Sequence, residues 1–394
     1  MSIEKPKLIM DNNIIIGIDG NEANIENRVG VNQYAFEILW NLYKLQDNNK
    51  NNYKFIVYLK SYPREDLPKE NGNWKYKVIP GKGIWIITKF MPWLLFTKDK
   101  PQVLFSPSHY TVPFSTMPRI CSIMDLGYLN SSEQFKKTTF WQLKFWTAIS
   151  IIVSKYVIAI SNATKDDIVR HYPFASKKVR VIHLAYDKDR FNKDIPESDV
   201  RRIKEKYSIV DDYILFLSTL KPSKNIEGLL EAFAKIKGSE PKIKLVIAGK
   251  KGWMFESIFK KIKELGLEKE IIFTDFVEES DKPALIKGAK VFVAPSFWEG
   301  FGLNVLEAMA CGIPVVVSDI ASLPEIVGKA GILVNPNDVE SIAEGISKVL
   351  KMPKESYNMM VEGSLEQAKK FSWDETARKT FEVIENCIKN EKYI

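Results

Sequence analysis

The sequence contains few of the residues from which disulfide frameworks and zinc sites are built. Its three cysteines are widely spaced and odd in number: Cys121, Cys311 and Cys387. A disulfide framework is therefore not expected, and a reducing compartment suits the chain. The three histidines have no partners at the spacing that metal sites use. We accordingly expect no metal site and no resident cofactor.

The sequence also lacks a long apolar run. No stretch reaches the roughly 18 residues of a membrane span, and the nearest candidate, residues 84–96, contains Lys89 and Pro92. Residues 1–6 lack the apolar core of a signal peptide, which predicts a cytoplasmic protein. Residues 135–153 mix lysines with aromatic side chains in an amphipathic pattern. That pattern is compatible with peripheral contact at the inner face of an anionic membrane, but we favour a partly buried helix on the domain surface.

A basic stripe is missing as well, although the chain carries a net charge of +8. The lysines are scattered among glutamates, and no nucleic-acid-binding motif is present. Nucleic acid is therefore not an expected partner. The positive charge instead suits phosphorylated ligands or an anionic membrane surface.

Two motifs that would indicate other enzymes are absent or poorly placed. No G-x-G-x-x-G fingerprint follows the first predicted strand, which disfavours a dinucleotide-dependent dehydrogenase. Asp187-Lys188-Asp189 has the D-x-D spacing of metal-dependent transferases of another fold. It opens a charged stretch at residues 187–206, however, which we interpret as a solvated interdomain linker and helix.

Strand and helix patterns alternate along the chain, which predicts parallel sheets. With 394 residues, two domains are expected. The fold class is therefore α/β, with two Rossmann-like domains facing each other across a cleft. The predicted divisions are a first domain, a linker, a second domain and an amphipathic C-terminal helix, at residues 1–188, 189–211, 212–370 and 371–394.

The most informative stretch runs from residue 295 to residue 314. An apolar strand at residues 291–294 precedes it, and another at residues 315–317 follows. Between them we predict a glycine turn around Gly300 and Gly302, then a helix of about ten residues that ends before Gly312. Ligands of such βαβ units bind beyond the carboxyl ends of the strands. A helix N-terminus behind a glycine turn suits a phosphate.

Two carboxylates mark this stretch. Glu307 falls on the flank of the apolar helix face, where a carboxylate is costly unless it is hydrogen-bonded. Glu299 lies at the turn itself. An ordinary structural explanation for Glu299 is a capping box with Ser296, since the two residues have the S-x-x-E spacing.

The stretch as a whole resembles the E-x7-E motif of retaining glycosyltransferases of family 4 (glycosyl transferases group 1), most of all their mannosyltransferase-like members. That resemblance implies a GT-B fold whose final helix crosses back onto the first, acceptor-binding domain. It also implies that Glu307 holds the ribose hydroxyls of a nucleotide-sugar. Glu299 and the glycine turn would then face the transferred sugar and the diphosphate, through Gly300 and the N–H groups of Phe301, Gly302 and Leu303.

Other segments extend the resemblance. Gly30 and Val31 match the glycine loop of the first domain that approaches the diphosphate, although a plain tight turn explains this loop equally well from spacing alone. Lys224 matches the lysine of a diphosphate-binding pair. Thr219 and Ser223 stand where the arginine of that pair is usually found, and Lys221 is the candidate substitute.

The resemblance also implies that the nucleobase lies near Phe276 and Val277. It is weaker at one further position. Met124 occupies a position that is usually a histidine facing the reacting sugar, and methionine cannot move a proton. We therefore consider His109 and Asp125 as the residues that take over the polar role.

Together these features predict a retaining hexosyltransferase that uses GDP-mannose, or alternatively a UDP-sugar, without a metal. Its acceptor would be a glycan or a lipid-linked saccharide. The alternative is a catalytically silent nucleotide-sugar-binding protein or partner subunit, because Met124 and the missing arginine depart from the family pattern. The sequence leaves the donor, the acceptor, the linkage formed and the oligomeric state open.

Overall fold

The computed structural model describes residues 14–47, 53–130, 137–252 and 255–389. Three sets of residues discussed above lie outside these ranges. They are residues 1–6, residues 135–136 of the amphipathic stretch and residues 390–394 at the end of the C-terminal segment. Within the described ranges no helix is both long and apolar enough to cross a membrane.

The first part of the chain forms a seven-stranded sheet in which every pairing is parallel. The spatial order of the strands is β3-β2-β1-β4-β5-β6-β7. The strands are β1 (Ile14–Asp19), β2 (Tyr53–Leu59), β3 (Trp74–Val78), β4 (Val103–Ser106), β5 (Arg119–Ile123), β6 (Tyr156–Ala159) and β7 (Val179–Val181).

The second part forms a six-stranded sheet, also parallel, in the order β10-β9-β8-β11-β12-β13. Its central strands are short apolar runs that are buried throughout, as expected for a parallel sheet covered on both faces. The strands are β8 (Tyr213–Leu217), β9 (Lys244–Ala248), β10 (Ile271–Asp275), β11 (Val291–Ala294), β12 (Val315–Ser318) and β13 (Ile332–Val334).

Helices connect the strands, as parallel sheets require. The helices of the first domain are α1 (Val31–Asp47), α2 (Met91–Phe96), α3 (Gly127–Asn130), α4 (Lys137–Val153) and α5 (Asn162–His171), with a π-helical turn at Ile86–Phe90 and a 3-10 turn at Pro173–Ala175. The later helices are α6 (Glu197–Lys206), α7 (Ile226–Lys237), α8 (Glu256–Glu264), α9 (Lys282–Lys287), α10 (Leu303–Ala310), α11 (Leu323–Val327), α12 (Val339–Leu350), α13 (Lys354–Ala368) and α14 (Trp373–Lys389), with a 3-10 turn at Pro222–Lys224.

The stretch interpreted as a solvated linker contains α6, which packs against the second domain. Val200 and Ile203 are buried, and Lys206 and Arg202 form ion pairs with Asp281 beside α9 at 2.5 and 3.2 Å. Asp187 caps its own turn by accepting hydrogen bonds from the amides that follow it. The spacing of the apolar residues in α6, and not the charge of the stretch, therefore determines how this stretch packs.

The C-terminal helix α14 returns to the first domain. The Tyr53 hydroxyl donates to Glu385 at 2.7 Å, and the Phe381 ring contacts Tyr53 edge-on. The Thr376 hydroxyl donates to the carbonyl of His183 at 2.8 Å. The predicted crossing helix is thus present, and it joins the two ends of the chain.

Each sheet has one point where the strand order reverses. In the first sheet this point lies between β1 and β4, and in the second between β8 and β11. Connections on either side of such a point leave in opposite directions and open a crevice at the carboxyl ends of the strands. The fold therefore provides two crevices, one in each domain.

Candidate functional site

A cleft of about 310 Å³ lies at the crevice of the second domain, between β8 and β11, and the first domain closes one side of it. Its first-domain wall includes Arg28, Gly30 and Gln33. Nine of the residues singled out from the sequence line it: Gly30, Thr219, Lys224, Phe276, Val277, Glu299, Gly302, Leu303 and Glu307.

The glycine turn begins α10 at Leu303, so the helix starts later than a capping box with Ser296 requires. That interpretation is wrong. Gly302 has φ +101°, and a Cβ there would lie 2.6 Å from Leu323, so only glycine fits. The first intrahelical bonds run from the amides of Val305 and Leu306 to the Gly302 carbonyl. In the described part of the chain, no group accepts from the amides of Phe301, Gly302 and Leu303, which leaves donors for an anion.

Glu299 and Lys224 form an ion pair of 2.5 Å in the cleft. The Ser296 hydroxyl donates to the same carboxylate oxygen at 2.9 Å, so the S-x-x-E pair does interact, through side chains. Lys224 is buried, and its loop is tied to the glycine turn because the Phe297 amide donates to the Ser223 carbonyl at 2.9 Å. Two segments far apart in sequence therefore present one carboxylate and one ammonium group side by side.

Glu307 is buried in the floor of the cleft. Burial raises the pKa of its carboxyl group from 4.5 to about 7, and the nearby Lys282 only partly offsets this effect. One carboxylate oxygen, Oε2, has no hydrogen-bond partner among the described residues. A buried carboxylate without a partner is costly, and it becomes favourable when a ligand supplies hydroxyl donors.

Several residues of the cleft had no role assigned from the sequence. Gly249 ends β9 with φ +139°, and a Cβ there would lie 1.9 Å from the Ser218 carbonyl. The Asn304 side chain donates to the Leu217 carbonyl at 2.7 Å and so fixes α10 to the end of β8. The Lys250 ammonium lies 4.4 Å from the centre of the Phe276 ring. In the sequence, the Gly-Lys-Lys-Gly stretch at residues 249–252 was the signal that could have indicated this part of the cleft.

The cations of the cleft differ in how they are paired. Arg28 makes two bonds to Asp66, at 2.8 and 3.0 Å, and Lys282 pairs with Glu279. Lys224 pairs with Glu299. Lys250 is the cation of this lining for which the described residues provide no carboxylate within ion-pair distance.

The opposite face of the glycine turn is held by the first domain. The hydroxyls of Ser161 and Thr164 donate to the Gly300 carbonyl, at 2.7 and 3.4 Å. A Cβ on Gly300 would lie 2.6 Å from the Met124 carbonyl. Gly127 is equally tight against the Trp298 ring. These contacts fix the turn from both sides, and they explain why Gly300 does not line the cleft itself.

A second link between the domains is formed by Glu325. It accepts from the Asn162 amide and side chain, at 3.1 and 2.7 Å, and lies 3.2 Å from a ring nitrogen of His183. Burial alone would raise the pKa of Glu325, but these hydrogen bonds outweigh it and hold the pKa below its usual range. The carboxylate therefore stays charged at neutral pH and binds the start of α5.

Six of the singled-out residues lie outside the lining of the cleft: Val31, His109, Asp125, Lys221, Gly300 and Phe301. Phe301 is buried and contacts the rings of His183 and Phe371, so only its amide belongs to the turn. Asp125 is exposed and caps α3 by accepting from the Gly127 amide at 2.9 Å.

His109 and Lys221 are both shifted towards their neutral forms. Burial lowers the pKa of His109 to about 4, so the imidazole is uncharged at pH 7. Burial, followed by the charge of Lys224, lowers the pKa of Lys221. The roles considered for these two residues and for Asp125 stay predictions.

Comparison with known proteins finds a family match that covers most of the second domain. Residues 199–367 match the family described as glycosyl transferases group 1. The chain is 29% identical over 288 residues to the O-antigen chain mannosyltransferase B of Escherichia coli, which covers 72% of this chain and 74% of that protein. It is 34% identical over 229 residues to the serotype-specific mannosyltransferase WbdA of Escherichia coli, where the match covers 57% of this chain and only 28% of WbdA.

The solved structure of Alr3699/HepE from Anabaena, in complex with UDP and glucose, superimposes with a TM-score of 0.71. It covers 95% of this chain and 100% of that one, at 17% identity. At this identity the likeness shows the fold alone. The expected architecture of two parallel-sheet domains facing a cleft, with a GT-B arrangement, is confirmed.

Proposed function

We propose that the chain is a glycosyltransferase of family 4 that transfers mannose from GDP-mannose to a saccharide acceptor with retention of configuration. The match of residues 199–367 to glycosyl transferases group 1 and the GT-B fold support this proposal. The relatives named mannosyltransferases support mannose as the sugar. A UDP-sugar is the competing donor.

The observation that carries the proposal is the buried, incompletely paired Glu307 carboxylate in the floor of the cleft. A ribose presents two neighbouring hydroxyls, and one carboxylate accepts from both. The binding of a nucleotide would therefore supply the missing partner of Oε2 and compensate for the burial of the charge. The exposed face of Phe276 and the neighbouring Val277 are proposed to border the base.

The diphosphate is proposed to lie at the glycine turn. There it meets the amides of residues 301–303 at the N-terminus of α10, whose dipole favours negative charge. Lys224 lines the same cleft but is already paired with Glu299. A diphosphate carries more than one negative charge, so we assign the second cation to Lys250. No carboxylate of the described ranges pairs with Lys250, and we propose that it takes the place of the missing arginine.

The transfer step follows from this arrangement. The bond between the anomeric carbon and the diphosphate oxygen breaks, and the acceptor oxygen bonds to the same carbon from the same face. The acceptor hydroxyl passes its proton to the departing phosphate oxygen, which same-face attack places beside it. Glu299, held by Lys224 and Ser296, orients the sugar hydroxyls. Positioned donors aimed at developing charge usually supply the largest catalytic effect.

We propose that the reaction needs no divalent metal and no resident cofactor. Lys224, Lys250 and the three amides of the turn neutralise the charge of the leaving diphosphate. In this proposal, EDTA leaves the rate of sugar transfer unchanged. Loss of transfer on chelation, with recovery on adding magnesium or manganese, would overturn it.

We also propose peripheral contact of the first domain with an anionic membrane and a lipid-linked acceptor. Residues 82–155 contain nine Lys or Arg and three Asp or Glu, most of the net charge of +8. Apolar side chains of this region are more than half exposed: Ile84, Phe96, Phe114, Trp141 and Ile152. Cations beside exposed aromatic side chains are typical of membrane-surface segments.

The proposed function is tested by measuring the melting temperature of the full chain against nucleotide-sugars. GDP-mannose should raise it with a concentration dependence set by mass action, whereas UDP-glucose should have a smaller effect. NMR of the transfer product should show the anomeric configuration of the donor. Inverted product overturns retention. Binding without turnover on any saccharide acceptor would indicate the catalytically silent protein that Met124 and the missing arginine suggest.

A further inference from the structure

The glycine turn before α10 offers its amides to a ligand only if its peptide groups keep one orientation. In a trans peptide the C=O and N–H groups point in opposite directions. A hydrogen bond that holds a carbonyl on one side of the turn therefore fixes the amide of the next residue on the other side. Glycine peptides rotate more easily than others, so such bonds matter most in this turn.

The second domain holds three carbonyls of the turn. The Ser322 hydroxyl, buried directly before α11, lies 2.9 Å from the Glu299 carbonyl oxygen and 2.8 Å from that of Phe301. The Gly302 carbonyl accepts from the first bonded amides of α10, at 3.0 and 3.1 Å. These bonds move with the second domain and are formed wherever the first domain lies.

The Gly300 carbonyl is held by the first domain instead. The Ser161 hydroxyl donates to it at 2.7 Å, and the same hydroxyl accepts from the Thr164 amide at 3.0 Å as the N-cap of α5. Ser161 is fully buried, so both bonds have fixed directions. The Phe301 amide belongs to the same peptide group as the Gly300 carbonyl and therefore points away from α5. One donor of the turn thus depends on a residue of the other domain.

Glu325 keeps α5 in this position. It lies three residues after Ser322, and its carboxylate accepts from the Asn162 amide and side chain at 3.1 and 2.7 Å and from the Ala163 amide at 3.4 Å. A carboxylate at a helix N-terminus is stabilised by the helix dipole and the unpaired amides. The short helix α11 therefore contacts the turn at one end and the first domain through its carboxylate. We call Ser161, Asn162, Ser322 and Glu325 the interdomain clasp.

The turn fits tightly between the parts of the clasp. A Cβ on Gly300 would lie 2.6 Å from the Met124 carbonyl of the first domain, and a Cβ on Gly302 would lie 2.6 Å from Leu323 of α11. With the clasp formed, the peptide between residues 300 and 301 has little room to rotate. Without the bond from Ser161, that peptide regains the freedom of a glycine peptide.

We propose that the interdomain clasp positions the Phe301 amide for the diphosphate of the donor. Ser161 and Glu325 are then positioning residues, because neither lines the cleft and both act through the backbone of the turn. The role in diphosphate binding rests on the proposed function. Since coupling between two events is reciprocal, disruption of the clasp weakens diphosphate binding, and diphosphate binding strengthens the clasp.

The test is calorimetry of inorganic pyrophosphate binding to the full chain, because this probe has neither base nor sugar. Ser161→Gly removes the hydroxyl, and glycine is tolerated at a helix N-cap. Ser161→Gly and Glu325→Gln should each weaken pyrophosphate binding about fivefold, part of the effect of one hydrogen bond to a charged group. General electrostatics predict tighter binding for Glu325→Gln, which removes a negative charge. The double variant should lose little more than either single variant, because both changes disrupt one clasp.

Two further variants are controls. Ser161→Thr keeps a hydroxyl at the N-cap and should recover most of the pyrophosphate affinity that Ser161→Gly loses. Glu385→Gln makes the same change of charge at another contact of the first domain, the bond from Tyr53 to α14, which does not touch the turn. It should not weaken pyrophosphate binding. The melting temperature of every variant shows that it is folded.

The outcomes separate the clasp from the proposed function. Wild-type pyrophosphate affinity in both Ser161→Gly and Glu325→Gln overturns the clasp, even if the wild type transfers mannose. Weakened binding in both variants, without any transfer from GDP-mannose by the wild type, supports the clasp and overturns the proposed function. An equal loss in Glu385→Gln overturns the positioning role. Absence of pyrophosphate binding by the wild type overturns both proposals.

Discussion

The two crevices of this protein occupy equivalent positions in two similar sheets, yet they differ in chemistry. The crevice between β8 and β11 has a glycine turn, free amide donors and several cations. The crevice between β1 and β4 has buried carboxylates and tryptophans. The sheet topology decides where a ligand can bind, and the residues that follow each strand decide which ligand binds there.

The largest expected effect tests whether chemistry belongs to the second-domain crevice. Glu299→Ala should reduce sugar transfer at least about 100-fold, the usual loss when one positioned electrostatic group is removed from a reaction centre. GDP affinity should change little, because the proposed contacts of Glu299 are to the sugar. The measurement is transfer from GDP-mannose at saturating acceptor. Glu278→Ala, an exposed glutamate of the same domain, is the control. Retained transfer in Glu299→Ala would remove the enzyme mechanism proposed here.

A smaller effect is expected from the cation without a carboxylate partner. Lys250→Ala should weaken GDP binding about tenfold, since a charge-assisted hydrogen bond contributes about 1.5–3 kcal/mol and about 1.4 kcal/mol corresponds to a factor of ten. Lys251→Ala removes the same charge one residue away, but Lys251 lies 3.5 Å from Asp275 and does not line the cleft. Calorimetry of GDP binding by both variants tests whether the diphosphate lies in this crevice. Equal losses of GDP affinity in the two variants would mean that Lys250 acts only through the general positive charge of the region.

The buried Glu307 predicts a pH dependence. Its folded-state pKa of about 7 lies above the unfolded value of 4.5, so the folded protein binds a proton more tightly and loses stability as the pH rises from about 4.5 to 7. Ribose hydroxyls stabilise the ionised form. GDP affinity of the wild type should therefore rise several-fold between pH 6 and pH 8.

The control for this prediction is Glu307→Gln, in which the side chain cannot ionise. Its GDP affinity should vary less over the same range, and its melting temperature should lose less than that of the wild type between pH 5 and pH 7. Parallel pH profiles for the two proteins would show that Glu307 does not control the pH dependence.

The smallest expected effect concerns the surface around the first-domain crevice. Trp141→Asp should reduce by a few-fold the amount of protein that sediments with anionic phosphatidylglycerol vesicles. The change replaces an exposed aromatic side chain next to Lys144 with a negative charge, which the anionic lipid repels. Val210→Asp makes a comparable change at an exposed site near the second domain and should have no effect. Equal behaviour of the two variants would contradict membrane contact through the first domain.

Much of the local structure was accessible from the sequence. The strand at residues 14–19 and the N-cap Ser161, whose hydroxyl accepts from the Thr164 amide, agree with the residue patterns. Gly312, the second residue after α10, has φ +74°, as its position behind the helix indicates. Such features depend on a few neighbouring residues, so local propensity and hydrophobic period are enough to find them.

Contacts between distant segments were not accessible in the same way. The capping-box interpretation of Ser296 and Glu299 failed because α10 starts only at Leu303, and Lys224, far away in sequence, pairs with Glu299 in the cleft. The charge of the stretch around α6 concealed two buried residues that pack on the second domain. Asn304, to which the sequence analysis gave no role, fixes α10 to the end of β8.

The sequence by itself determined two parallel α/β domains, the glycine turn and the two glutamates near it, because periodicity and turn chemistry are properties of short segments. Only the tertiary structure decided that Lys224 pairs with Glu299, that Glu307 is buried with one oxygen unpaired, and that Asp19, Glu22 and Trp146 share a pocket. The physical reason is that hydrogen bonding, desolvation and charge pairing depend on distances between groups, and the order of residues along the chain does not set those distances.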